Sequence, residues 1–351
     1  MKKLNLVFVG LSSLLLLGVA PIAKNHDHQA TSSEIRRAYA ANARYHSGPL
    51  KHVGATPARP VEDTADFAYV LMSSQETSDE VTNLRRTIAQ NLPDGVKLVI
   101  LADTAEVDAV KQEYGAWLAA DRLIVASDSN TGNGFWARDA FPVPVYDNAT
   151  QHVSLVNAKY YRDFNSGDAV AQSLGLHNEK KEFTLVGGNI IADEEGTCFS
   201  IDSYRLFGTT PGDIIQAYGC KVHHLMPYAA GIGDVDEVLK PLPGRKILTN
   251  VPVYQKDLES WGYQVILLPD IPNTYRTYAN ALIVRKTVFM PTYGVSTDAT
   301  AQKIYESLGY KVIGIPTNSL SDDMHGSIHC QTMAYPAMDQ NVLMDAIRSA
   351  L

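Results

Sequence analysis

Cysteine is scarce: Cys198, Cys220 and Cys330 are the only three in 351 residues. So few exclude a disulfide-built scaffold, and an odd number leaves at least one thiol over. Cys198 and Cys220 are either a disulfide or two buried thiols. No Lys/Arg block stands out, and 30 basic against 38 acidic residues give a formal charge of -8. Non-specific nucleic-acid binding needs a basic footprint, which is missing. Beyond the first two dozen residues there is no apolar run long enough to span a bilayer. What is present, 45% hydrophobic and 19% charged residues, is the composition of an ordinary globular chain with a substantial core.

The N-terminus reads as an address. Lys2 and Lys3 precede the apolar run Leu4–Ala20, with small residues around Ala20 and Ala23. This is the pattern of a Sec-type signal peptide over residues 1–23, the alternative being a membrane anchor. Cleavage would give a secreted or periplasmic protein with no membrane association afterwards. Residues 24–61, rich in His, Ala, Pro and Ser, read as a loosely ordered leader, and 62–351 as a single domain.

From residue 66 short β-rich runs alternate with helical patterns. Strands are expected at Phe67–Met72, Val96–Leu101, Leu123–Ala126, Val153–Ala158, Lys246–Val251, Ala281–Met290 and Lys311–Ile315. Helices are expected at Ser78–Leu92, Thr104–Leu118, Thr210–Tyr218, Thr297–Leu308 and Met338–Ala350. Three stretches repeat: Ala217-Tyr-Gly-Cys-Lys-Val222, Ser260-Trp-Gly-Tyr-Gln-Val265 and Ser307-Leu-Gly-Tyr-Lys-Val312, each followed by an apolar residue and proline. Each reads as a helix end, a left-handed glycine and a strand closed by proline. Asn91-Leu-Pro-Asp-Gly95 is a weaker copy. About five such α/β units around a common centre fit the chain, with a doubly wound sheet as the alternative. The polar, glycine-rich stretches fall between repeats, which favours the ring.

Four of those stretches carry candidate chemistry. Gly134-Phe-Trp-Ala-Arg-Asp139 sets Arg138 and Asp139 against aromatic walls, where a buried Asp139 needs a cationic partner. The adjacent glycines in Leu185-Val-Gly-Gly-Asn-Ile190 mark a strand bulge or a close approach. In Gly231-Ile-Gly-Asp-Val-Asp-Glu237, an extended backbone would project Asp234 and Asp236 to one face and invite a cation. His325-Gly-Ser-Ile-His-Cys330 places a thiol beside two histidines. Without a second Cys/His pair at ligand spacing, an activated nucleophile is the better reading than zinc, and an inert buried cysteine is the bland one.

In this order the segments resemble the bacterial-type peptidyl-arginine deiminase and agmatine deiminase family of the guanidine-modifying superfamily. The resemblance runs from Phe67 to Pro336 through Trp136-Ala-Arg-Asp139, Gly187-Gly-Asn189, Gly233-Asp-Val-Asp-Glu237, Tyr278-Ala-Asn280 and Ile328-His-Cys330. It implies a five-bladed, pseudo-symmetric α/β propeller (pentein-type) with the site on its axis. It implies a hydrolase that turns arginine-type guanidinium groups, in a peptide, a protein or a small guanidino compound, into citrulline-type product plus ammonia. Cys330 would attack the guanidinium carbon and form a thiouronium adduct, while Asp139 and Asp236 hold the guanidinium by charge-assisted hydrogen bonds. Trp136, Arg138, Asn189, Asn280 and His329 would line the pocket, and Arg162 would meet a substrate carboxylate. No metal or organic cofactor is implied.

The chain departs from that pattern twice. Asp234 stands where the family's Gly-His-x-Asp motif supplies a histidine for proton transfer. An unperturbed aspartate, with a pKa of about 4, is a poor acid at neutral pH. Burial beside Asp236 and Asp139 would push one carboxyl upward, but the expectation is greatly reduced turnover unless His223, His224, His325 or His329 substitutes. Val186 stands where many relatives carry an acid before Gly-Gly, which makes agmatine a poorer substrate than arginine. A catalytically silent guanidinium-binding relative and an amidinotransferase are the alternatives on the same scaffold.

Overall fold

The structure, a computed structural model, describes residues 27–46, 56–129, 132–162, 167–272 and 274–337. The signal-peptide assignment and the helix expected over Met338–Ala350 lie outside them.

Five separate open sheets are built on one plan. A strand pairs antiparallel with the next, and a helix then carries the chain across to a third strand parallel to the second. The plan is repeated by Val143–Asp147, Val153–Lys159 and His177–Thr184, and by Ile191–Ala192, Thr197–Asp202 and Val222–Pro227. Leu239–Leu242, Lys246–Thr249 and Gln264–Leu267 follow it, as do Leu282–Val284, Thr287–Thr292 and Lys311–Pro316. In the first sheet the antiparallel strand comes from the far end of the chain. Met333–Pro336 pairs with Phe67–Ser73, whose parallel neighbour is Lys97–Asp103. The left-handed glycines read from the repeat, Gly219, Gly262 and Gly309, all have positive φ and stand just before the third strand.

The near-continuous apolar run Lys-Leu-Val-Ile-Leu-Ala-Asp over 97–103 has a physical reason, because side chains alternate across a strand and both faces are buried here. Leu98, Ile100 and Ala102 enter a core shared with Leu282, Phe289 and Ile315 of the fifth module. Val99 and Leu101 enter one shared with Leu155 and Leu174 of the second. Further cores join the second module to the third, the third to the fourth and the fourth to the fifth. Each module is thus packed against the next, and the fifth against the first.

Several expectations change. Ala281–Met290, read as one strand, is a hairpin whose turn holds Arg285 at positive φ. The Gly187–Gly188 pair is not a bulge but a single 3-10 turn, Gly187–Asn189. Within the leader read as loosely ordered, Ser32–His46 is a helix. Thr31 and Glu34 form a capping box at its start, with Thr31 N–H donating to the Glu34 carboxylate at 2.7 Å. Asn42 fixes it: its amide donates to the Thr184 and Phe207 carbonyls and to Thr209 Oγ1, and accepts from Thr184 N–H. Cys198 and Cys220 form a disulfide across 22 residues. Among the described residues no helix is long and apolar enough to cross a membrane.

Two of the repeat glycines separate backbone strain from close approach. A Cβ on Gly309 meets nothing within 4 Å, whereas one on Gly219 would lie 1.9 Å from the Ala58 carbonyl oxygen. Gly309→Ala should therefore cost about 1 kcal/mol, for the left-handed backbone alone. Gly219→Ala adds a backbone clash and should cost roughly 3 kcal/mol or more. Urea unfolding midpoints check this, and equal losses would show that the contact with Ala58 is no constraint.

Candidate functional site

The loops between modules bring four of the sequence-read segments together. Cys330 lies just before the closing strand and is fully buried. Its Sγ accepts from Asn280 Nδ2 at 3.1 Å and lies 3.8 Å from Asp236 Oδ2. Asn280 also receives the backbone N–H groups of His329 and Cys330 on its Oδ1, so one amide orients both the sulfur and the loop carrying it. Asp236 sits in the 3-10 turn Val235–Glu237. Its Oδ2 meets His329 Nδ1 at 2.7 Å, while its Oδ1, although buried, has no hydrogen-bond partner.

Behind Asp236 runs a line of polar contacts in which sequence reading missed Asp63 and Lys240. His329 Nε2 reaches Asp63 Oδ1 at 3.1 Å, and Asp63 Oδ2 takes Lys240 Nζ at 2.7 Å, all of it buried. Burial opposes the Asp63 charge, but Lys240 and His329 outweigh it and hold the carboxyl well below its usual range. Asp63 stands in a stretch with no motif around it, and Lys240 reads as a strand lysine. Only their burial marks them.

A second cluster forms around Arg205, also unread in the sequence. Its Nε donates to Asp234 Oδ1 at 3.0 Å, and its Nη2 to Asp234 Oδ2 at 2.7 Å and to Asp139 Oδ2 at 2.6 Å. The extended backbone expected over 231–237 is therefore corrected. Asp234 and Asp236 do not share one face: the turn that begins at Val235 aims Asp234 at Arg205 and Asp236 at His329 and Cys330. Arg205 is completely buried, and although burial works against its charge, Asp234 and Asp139 raise its pKa well above the ordinary value. Burial likewise opposes the Asp139 charge, yet His28 and Arg205 pull that carboxyl down to about 2. Asp234 goes the other way: burial, with the Asp139 and Asp236 charges, outweighs Arg205 and pushes it up to about 7. Glu237 is raised well above its usual range by burial and by Asp234 and Asp236. The Cys330 thiol is raised in the same way, by burial and then by Asp236, Glu237 and Asp139.

The remaining predicted residues divide. Trp136 stands on the wall, stacked at 3.9 Å on the His28 ring, whose Nδ1 lies 2.9 Å from Asp139 Oδ2. Gly188 passes so close to the carboxylates that a Cβ there would lie 2.6 Å from Asp139 Oδ1. Arg138, beside Asp139 in sequence and in the short helix Ala137–Ala140, turns away from it and donates to the Gly187 and Ile190 carbonyls. Asn189 spends its amide on Ile201, accepting from its N–H at 2.7 Å and donating to its carbonyl at 3.1 Å. Arg162 donates to the backbone carbonyls of Asp27 and Gln29. His223 and His224 are elsewhere, against Ser200 and Trp261. His325 packs on Tyr275 and meets Asp27 Oδ1 at 3.1 Å.

The one grouping with metal-ligand geometry among the described residues is His28, Asp139 and Asp234. The guanidinium of Arg205 already donates to both of its carboxylates, so this donor set does not fit a cation.

Residues 253–336 match the Porphyromonas-type peptidyl-arginine deiminase family. Among solved structures the chain is similar to a cysteine-to-serine variant of agmatine deiminase from C. jejuni with substrate bound, with a TM-score of 0.66 at 15% identity, covering 83% of this chain and 99% of that one. It is similar to agmatine deiminase of Enterococcus faecalis, with a TM-score of 0.65 at 16% identity over 82% and 99%. It is also similar to a Porphyromonas gingivalis protein described as an arginine deiminase, with a TM-score of 0.63 at 21% identity over 80% and 98%. Among curated proteins no sequence matches. At such identities structural likeness speaks for the fold. The match over 253–336, which carries Asn280, His329 and Cys330, together with the shared mixed α/β fold, bears out the resemblance of this chain to the Porphyromonas-type peptidyl-arginine deiminases and agmatine deiminases.

Proposed function

We propose that the chain is a guanidino-group hydrolase whose five modules stand as blades about one axis, with Cys330 as its nucleophile. The observation that carries this reading is a buried thiol 3.8 Å from a carboxylate whose other oxygen, Asp236 Oδ1, is unpartnered. That oxygen fits a guanidinium N–H, and a guanidinium there would put a cation beside the sulfur. Burial and the acidic surroundings raise the thiol pKa, so the thiolate forms only when a cationic substrate arrives, its proton passing to Asp236 Oδ2 at 3.8 Å. The sulfur then bonds to the guanidinium carbon, and one C–N bond breaks as the departing nitrogen takes a proton and leaves as ammonia. Water next adds to the same carbon and the C–S bond breaks, leaving a ureido product and free Cys330.

Asp234, lifted to about 7, titrates in the range that suits proton delivery, provided Arg205, which donates to both of its oxygens, releases one of them. Val186 leaves no acid for a distal ammonium, which favours arginine, free or in a peptide, over agmatine. The disulfide supports a secreted or periplasmic location.

A silent guanidinium-binding relative is the second reading, favoured by Arg205, which already fills Asp139 and Asp234 with an internal guanidinium. Ammonia and citrulline release from benzoyl-arginine amide separates the two. The unaltered chain should exceed Cys330→Ala clearly; equal background from both, persisting when His28 is replaced by alanine, leaves only the binding role.

If Asp234 delivers the proton, turnover should fall as pH rises through about 7, where Asp234 loses it. Asp234→His should raise kcat about tenfold, part of the roughly 10²–10⁴-fold that a well-matched acid contributes. A pH profile unchanged in that variant would remove Asp234 from the mechanism.

A further inference from the structure

The proposed site is shut in this structure. Cys330, Asp139, Asp234 and Asp236 are all buried, and a cavity of about 490 Å³ walled by Gly231, Glu237, Asn250, Tyr275 and Thr277 does not include them. What closes the site on the Asp139 side is the chain's own N-terminal segment. The His28 ring fills the space between the Trp136 indole and the Asp139 carboxylate. It also fits tightly against the loop leading to Cys330, since a Cβ on Gly326 would lie 2.6 Å from His28 Nε2.

The backbone of the segment is held as firmly as its side chain. The His28 carbonyl accepts from Arg205 Nη1 at 2.7 Å and from the Tyr161 hydroxyl at 2.9 Å. Arg162 donates to the carbonyls on either side, and Asp27 reaches His325. The helix that follows is anchored at a distance by Asn42, between the second and third modules.

We propose that residues 27–46 form an autoinhibitory strap. His28 and Arg205 together occupy the acidic groups that an incoming guanidino compound needs. An internal ligand competes at high effective concentration, so apparent affinity falls by the fraction of molecules in which the strap is open. The inference rests on the reading above in taking Cys330 and Asp139 as parts of one guanidinium site.

The test is the rate at which chloroacetamidine, a cationic alkylator shaped like a guanidinium, labels Cys330 in the full exported chain. His28→Ala removes the ring from the site. Asn42→Ala loosens the helix anchor without touching the site. Each should speed labelling by about tenfold or more, the ratio expected from losing a buried hydrogen-bond partner. Unchanged labelling in variants with native circular dichroism would overturn the strap.

Hydrogen exchange on the unaltered chain gives a second measurement should a variant fail to fold. Once Cys330 is alkylated, exchange across 32–46 should rise because the label displaces His28, and unchanged protection there would overturn the proposal too. Faster labelling without any ammonia release from benzoyl-arginine amide would keep the strap and remove the hydrolase reading.

Discussion

One buried guanidinium, that of Arg205, sets the electrostatics of the hub. Two carboxylates from different modules converge on it, and its charge offsets part of the cost of burying theirs, since an uncompensated buried charge costs several kcal/mol. On the other side of the hub, Lys240, Asp63, His329 and Asp236 follow one another in contact and end at the sulfur of Cys330. The thiol thus sits where a second positive group would relieve the acidic excess. The proposed guanidino substrate is a planar cation of that kind. Burial, together with the same excess, raises the Cys330 thiol and the Glu237 carboxyl well above their ordinary ranges.

The modules supply the rigidity this requires. Because each sheet buries both faces, its strands are fixed by two cores, and the loops at their ends inherit that precision. Asn280 shows the result, a single amide holding the sulfur, two backbone N–H groups and the Asp236 carbonyl in register. Asp139 and Gly188 show it from the opposite wall, where the backbone approaches the carboxylate closely enough to donate to it.

Much of this was legible in the chain. Apolar alternation and the glycine before each parallel strand marked the modules, because left-handed backbone and buried strands leave residue-type signatures. Trp136, Asp139, Asp236, Asn280 and Cys330 were legible because they lie in short stretches dense in glycine and polar residues. Arg205, Asp63, Lys240 and His28 were not. Each stands in ordinary surroundings and gains its role from a partner between 29 and 266 positions away. Arg138 and Asn189 are the opposite case. They lie in the right segments, but each turns to satisfy backbone groups that the tight turns nearby leave exposed.

The strand Met333–Pro336 completes the sheet begun by Phe67–Ser73, and the Cys330 sulfur precedes it by only a few residues. A loop of more than two hundred residues must close before that pairing forms, a contact of very high sequence separation and hence a late one. Assembly of the candidate site is therefore tied to the arrival of that strand. A chain cut short ahead of Cys330 would carry the acidic cluster without the sulfur that faces it.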